Sequence, residues 1–276
     1  MAMTTPVEIQ VTPRNLHFHV VGADNRAWLN GDPIGTAVFN ALSLTFPDGE
    51  RLFMDAVRAQ RERLSGKLLA DANAFIAQEA IHSREHAALN GFLDPAHYPV
   101  EAIGEDLRRR MDRARRAGPI AMLAVTIALE HFTAMMSDLL LQGQDFLVGA
   151  PEELHRLWQW HAMEETEHKA VAFDVFQEIA KSWKPSQRYR LRVITMAITG
   201  YLFVSNVTRY ASRLLIADGM GVWSARRRVL WYLFGKPGLF RKCGRAYRDW
   251  YRPGFHPWDH DNRAELGAWR GVFEPA

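Results

Sequence analysis

The chain has 276 residues, 48% of them hydrophobic, and its 34 Lys and Arg against 31 Asp and Glu leave a formal charge of +3. This is enough apolar sequence for one large domain or two small ones, which excludes disorder as the main state. The single cysteine, Cys243, excludes disulfide scaffolds and thiolate-rich zinc sites, so any metal must be held by His and carboxylate.

Residues 1–33 contain Pro6, Pro13, Gly22, Gly31 and Pro33, a pattern that predicts an extended arm with a short strand over residues 16–20. His17 and His19 would share one face of that strand and read as a surface pair, because no carboxylate or third His accompanies them. The arm shows no basic region followed by an apolar run, so a cytoplasmic location is expected. The first helical pattern spans residues 35–64 and is interrupted at Phe46-Pro-Asp-Gly-Glu50, where Pro47 suits the first turn of a restarted helix. The second spans residues 67–90 and stops at Gly91. A connection over residues 94–118 leads to a third at 119–142, and a fourth runs over residues 151–181 with Pro185 beyond it. Two or three more helices are expected over residues 187–217 and 222–249.

Charge divides the chain. Residues 186–252 hold 14 Lys and Arg against Asp218 and Asp249, a local net of +12, so the remainder carries −9. An acidic body suited to a cation is thus followed by a basic, aromatic-rich extension suited to a membrane surface or an acidic partner. The apolar run at residues 193–207 falls short of the roughly 20 residues that cross a bilayer. No nucleic-acid-binding motif accompanies the charge, so no nucleic-acid partner is expected.

The informative anomaly is the position of ionisable residues on the helix faces. In the second helix, three- and four-residue steps connect Leu68, Ala72, Phe75, Glu79, His82, His86 and Leu89. In the fourth they connect Leu154, Trp158, His161, Glu165, His168, Ala172 and Val175. An unpaired buried carboxylate is costly, so these stripes require a cation or a strong partner inside. Each helix carries Glu-x-x-His, Glu79 with His82 and Glu165 with His168, which places both ligands on one face. Glu50 in the first helix and Glu130 in the third lie on apolar stripes and complete a set of four Glu and two His. One Glu from each of two helices and Glu-x-x-His from each of the other two is the pattern of ferritin-like dimetal carboxylate bundles. The expected fold is therefore all-α: a ferritin-like four-helix bundle with a dinuclear metal site over residues 34–185, and extra C-terminal helices over residues 186–276 packed on it. The competing reading is a buried network of carboxylates paired with Arg.

Neighbouring residues are weighed the same way. Glu164 and Glu167 each turn about 100° from the ligand beside them and are expected to be solvated or paired with Arg. His131 reads as a satisfied structural His. His256 and His260, with Asp259 and Asp261, read as parts of a Pro-rich turn rather than a metal site.

Two resemblances follow from these motifs. Over nearly the full length, with Phe46-Pro-Asp-Gly-Glu50, Gln78-Glu-Ala-Ile-His82, His161-Ala-Met-Glu-Glu165 and the tail segment from Tyr251 to Asp259, the chain resembles the bacterial family named "predicted metal-dependent hydrolase". The ligand set alone resembles the di-iron arylamine N-oxygenases, whose fourth helix carries His-x-x-x-Glu-x-x-His, here His161, Glu165 and His168. That resemblance implies that His161 is a seventh ligand. His86, one turn after His82, departs from the N-oxygenase pattern and is expected to orient a ligand carboxylate rather than to be a ligand itself.

Glu/His ligation without thiolate suits two iron ions best, with manganese or zinc as alternatives. Iron would give O2-dependent oxidation or oxygenation of a small apolar or aromatic substrate, with an electron donor as partner. Redox-inert ions would give hydrolysis through an acidified water. The helical Glu/Glu-x-x-His set favours the oxygen chemistry, with hydrolysis as the alternative. Thr126, Thr133 and Ser137 are expected to line the substrate space, walled by Met122, Phe132 and Met136. A homodimer is compatible with the sequence.

Overall fold

A computed structural model describes residues 5–19, 26–143 and 146–273 of the protein. Its helices are α1 (Pro33–Arg58), α2 (Gly66–Asn90), α3 (Val100–Arg116), α4 (Pro119–Leu141), α5 (Glu152–His168), α6 (Val171–Ile179), α7 (Pro185–Ala217), α8 (Val222–Phe234), α9 (Leu239–Lys242), α10 (Gly244–Asp249) and α11 (Arg263–Phe273). The described residues contain no strand, so the fold is all-helical. Helix α1 packs along α2, α4 packs along α5, and α1 also touches α4 while α2 touches α5 and α6. The core fills the space between them. Phe39, Phe75, Trp160, Leu52 and Leu123 are fully buried there.

The expected interruption of the first helix does not occur. Helix α1 is continuous from Pro33, with Asp32 Oδ1 accepting the Ile34 N–H at 2.9 Å as its cap, and it carries Pro47 in its interior. Proline has no N–H for the Ser43 carbonyl one turn earlier. Asn90 of α2 supplies the missing donor, its Nδ2 lying 3.0 Å from Ser43 O, so a neighbouring helix repairs the gap.

The fourth helix, expected to run to residue 181, breaks at Lys169 and Ala170 and restarts as α6. Lys169 turns out of the helix line at this break. Its ammonium reaches His260 O at 2.6 Å and Asn262 Oδ1 and lies 3.9 Å from the centre of the Trp258 ring. The connection over residues 94–118 is itself mostly helix, α3, which packs on α1 and α4. Helix α11 was not expected from the sequence; it lies against α5.

No strand forms in the described part of the arm, up to His19, and Val20 lies outside the described residues. The arm's backbone donors are taken by side chains instead. Thr12 N–H bonds Glu167 Oε2 at 2.7 Å, Arg14 N–H bonds Glu164 Oε1 at 3.1 Å and Phe18 N–H bonds Glu85 Oε2 at 3.0 Å. The arm is thereby latched across α5 and α2 without a second strand to pair with. His17 and His19 are exposed on it.

Two helices are long and apolar enough to cross a membrane by length and composition, α4 and α7. Helix α4 is the buried core helix. Helix α7 lies on α1 and α4 with one face, where Gly200 permits close approach: a Cβ there would sit 3.1 Å from Tyr247 Oη and 3.2 Å from Phe132 Cζ. Its other face exposes Ile194, Ile198 and Tyr201, and α8 exposes Trp223 and Trp231 beside Arg226, Arg227 and Arg228.

Candidate metal centre

The seven residues singled out in the sequence meet in the core. Glu50 comes from α1, Glu79 and His82 from α2, Glu130 from α4, and His161, Glu165 and His168 from α5, and none is more than 3% exposed. Ligand atoms of Glu50, His82 and His161 lie within 4.8 Å of one another, and so do those of Glu79, Glu165 and His168. These are two adjoining triads, each with at least one carboxylate and one imidazole. Glu130 stands beside the second, its Oε2 3.5 Å from His168 Nε2.

The atoms point at one another without bonding. His168 Nε2 lies 3.1 Å from Glu79 Oε1 and 3.5 Å from Glu165 Oε2, yet makes no hydrogen bond. Both oxygens of Glu50, Glu79 and Glu130, Oε2 of Glu165 and Nδ1 of His82 are likewise buried without a hydrogen-bond partner among the described residues. Buried polar atoms are almost always satisfied, so a cluster of convergent lone pairs marks a group able to hold a cation. Charge agrees: four carboxylates at −4 match two divalent ions at +4, and no Lys or Arg among the described residues pairs with any of the four.

The far side of each imidazole is held. His82 Nε2 bonds Glu164 Oε2 at 3.0 Å, which leaves Nδ1 to face the site. His168 Nδ1 bonds Gln78 Oε1 at 2.8 Å, and Gln78 Nε2 donates to Glu167 Oε2 at 2.8 Å, which leaves Nε2 to face the site. His161 Nδ1 meets His86 Nε2 at 2.6 Å, and His86 Nδ1 meets Ser43 Oγ at 2.9 Å. The Ser43 hydroxyl donates its one proton to Asn90 Oδ1 at 2.7 Å, so it accepts from His86 Nδ1–H. His86 Nε2 then accepts from His161 Nδ1–H, and His161 Nε2 is left bare, 2.9 Å from Glu165 Oε1. This hydrogen-bond chain presents His161 as a metal donor, and orienting such ligands is the ordinary work of outer groups. His86 thus buttresses an imidazole and not a carboxylate.

Glu164 and Glu167 are fully buried rather than solvated, and they are paired with Arg. The Arg14 guanidinium reaches both at 3.2 Å, and Arg270 Nε donates to Glu167 Oε1 at 2.8 Å. The alternative of carboxylates paired with Arg therefore describes these two residues and leaves the inner four unexplained.

Without a cation the inner groups titrate abnormally. Burial, reinforced by the other carboxylates, pushes Glu50 and Glu130 well above the usual range and raises Glu79. Burial also opposes charge on Glu165, but His168, His161 and His82 outweigh it and hold that carboxyl well below its usual value. Burial lowers His82, yet its bond to Glu164 and the nearby Glu165 carboxylate carry it up to about 9. His161 is lowered to about 4 by burial and by His82, which agrees with its bare Nε2. Such a cluster takes up either protons or metal.

Two spaces reach the centre. A small one of about 20 Å³, room for one water, touches His161 and Glu165 between Phe46, Thr133, Met136 and Ser137. A larger cavity of about 320 Å³ reaches Glu50 and Thr133 from between α3 and α7. Thr133 lines both and Ser137 the smaller. Thr126 lines neither and is buried with its Oγ1 unpartnered, and of the expected walls only Met136 borders these spaces. His131 is a structural His, its Nε2 donating to Ala246 O at 3.1 Å and its ring 4.7 Å from that of Trp250. His256 bonds Asp174 Oδ1 at 3.0 Å, and the tail histidines take no part in a metal group among the described residues.

The sequence alone did not reveal Gln78, Arg14, Arg270, Ser43 and Asn90 as parts of the site. Gln78 adjoins Glu79, the one local hint; the others lie in segments whose proximity only folding creates.

An all-helical protein with two buried Glu/His groups able to hold metal is the class these observations define. The family model described as "Predicted metal-dependent hydrolase" matches residues 12–261, nearly the whole chain, and the protein belongs to that family. Comparison with curated proteins and with solved structures returns no match. Family membership supports metal dependence and backs hydrolysis over the oxygen chemistry that the ligand pattern favoured; the identity of the metal is open to experiment.

Proposed function

We propose that the seven side chains hold two divalent metal ions and that the protein is a dinuclear metal-dependent hydrolase. The observation that carries the metal reading is the set of four buried carboxylates with convergent oxygens, seven of the eight unbonded, and no Lys or Arg among the described residues to balance them. Membership in the metal-dependent hydrolase family supports the reaction class. When bound, such a pair supplies Lewis acidity and an acidified water in place of a protein nucleophile. Glu50, His82 and His161 would hold one ion, and Glu79, Glu165 and His168 the other, with Glu130 in reach of the second. The chain's own contribution is orientation and exclusion. Glu164, Gln78 and His86 fix the three imidazoles, and Phe46, Trp158 and Met136 keep bulk water from the triads. Thr133 spends its hydroxyl proton on Glu130 O at 2.9 Å, so its oxygen offers an acceptor toward the cavity.

A second reading is favoured by one observation: every donor is a helical Glu or His, in the pattern of di-iron carboxylate bundles, and the spaces that reach them have mostly apolar walls. In that reading the ions are iron, the co-substrate is O2 and a reductant is required. The two readings separate in one experiment. Anaerobic turnover of esters or amides by protein loaded with manganese or zinc supports hydrolysis. Oxygen uptake with a transient visible band after loading with Fe(II), and no anaerobic turnover, supports the second. Folded, natively loaded protein with less than about half a metal ion per chain removes both.

A further inference from the structure

The larger cavity has a chemical polarity of its own. Its inner end is Glu50 and Thr133, its walls are apolar, and the half-buried Arg110 and exposed Arg113 line its outer end. Phe53, Leu107, Met111, Val125 and Leu129 form much of the wall, and Ile198 and Leu202 of α7 stand at the mouth, 57% and 38% exposed. About 320 Å³ is within the ordinary range for a small-molecule site.

Charge at the mouth is one-sided. Arg110 and Arg209 share a single acid, Asp106, with Arg110 Nε at 3.1 Å and Arg209 as the second partner. Arg113 is exposed and has no ion-pair partner among the described residues. Of the two lining guanidiniums Arg110 is paired with Asp106 and Arg113 is unpaired among the described residues, so the rim is positive while the bore is apolar. A neutral hydrocarbon would leave Arg113 unused, and a cationic amphiphile would meet repulsion.

We propose that this cavity binds an anionic amphiphile, its apolar part filling the space toward Glu50 and its anionic terminus paired with Arg113 at the mouth. This deepens the function proposed above and rests on it only in placing the inner end of the ligand at the metal centre. A carboxylate, sulfate or phosphate monoester terminus would satisfy the same guanidinium. The apolar residues of α7 around the mouth offer a path for a ligand that leaves a micelle or bilayer end-first.

The test is competition against a dansylated undecanoate probe, with metal content measured on the same protein samples. Decanoate should displace the probe at about tenfold lower concentration than decanol, and decyltrimethylammonium should be weaker than either. Arg113→Ala, a surface change that leaves the core intact, should erase the tenfold preference and leave decanol unchanged. Val125→Trp, confirmed folded by its thermal transition, should abolish probe binding. Equal displacement by decanoate and decanol, or an unchanged preference in Arg113→Ala, overturns the proposal. So does a metal-loaded protein that does not bind the probe, and that result leaves the reaction standing. Probe binding with the stated preferences in protein that holds no metal supports the amphiphile site while the proposed reaction fails.

Discussion

Glu164 and Glu165 are neighbours in α5 and both are buried, yet they belong to opposite kinds of site. Glu164, like Glu167 one turn on, accepts from Arg14 and from the arm backbone. Glu165, like Glu50, Glu79 and Glu130, faces only other acceptors and imidazoles. Burial alone therefore does not distinguish a structural carboxylate from a metal ligand. The partner does, and the partners come from different places: the outer pair is neutralised by Arg side chains of the chain, whereas no Lys or Arg among the described residues reaches the inner four, which must be neutralised by protons or by the ions proposed above.

The largest effect expected from this contrast is on stability at the outer pair. Glu167→Ala leaves the buried Arg14 and the half-buried Arg270 with one acid fewer and should cost about 3–5 kcal/mol in both metal-free and metal-loaded protein, read by denaturant titration. Glu50→Met should do the reverse in metal-free protein. It removes a buried, unpartnered carboxyl, and should raise metal-free stability by about 1–4 kcal/mol while metal content falls from two ions per chain to one or fewer. Loss of stability in both variants would mean that Glu50 has a partner in the chain and that the contrast is false.

A smaller effect should follow from the imidazole supports. His86→Ala removes the acceptor of His161 Nδ1–H, and should weaken metal binding about 10–100-fold with little change in fold, measured by competition with a chromogenic chelator. The pH dependence sharpens the comparison further. In metal-free protein Glu50, Glu79 and Glu130 have raised pKa values, and His82 is raised from 6.5 to about 9. A group whose folded pKa lies above its unfolded value stabilises below the unfolded value and loses that contribution as pH rises. Metal-free protein should therefore melt several degrees lower at pH 9 than at pH 6.5, and metal-loaded protein should not, because bound ions replace those protons. The least effect is expected at Asn90→Ala, which leaves Ser43 O without the donor that Pro47 cannot supply and should cost about 1 kcal/mol.

Much of the centre was legible without coordinates because helical periodicity is a local property. Glu79 and His82, or His161, Glu165 and His168, share a face whatever surrounds the helix, and an ionisable residue on an apolar stripe is an anomaly that can be seen in one dimension. The outer groups were illegible for the same reason. Arg14 lies about 150 residues from Glu164 and Arg270 about 100 from Glu167, and no spacing rule connects them. Helix ends were misjudged where a tertiary partner overrode a local signal. Pro47 does not break α1 because Asn90 replaces its hydrogen bond, and the fourth helix breaks after His168 where Lys169 turns to Asn262 and Trp258.

Sequence by itself determined that this protein is helical, that it carries two Glu-x-x-His faces and two further inward carboxylates, and that no thiolate joins them, since each follows from residue type and a 3.6-residue repeat. Tertiary structure decided the rest: which acids are neutralised by Arg and which are not, which nitrogen of each imidazole faces inward, and that an apolar cavity with a basic rim ends at Glu50. Those features depend on contacts between segments far apart in the chain, and the free energy of a buried charge is set by such contacts and not by its neighbours in sequence.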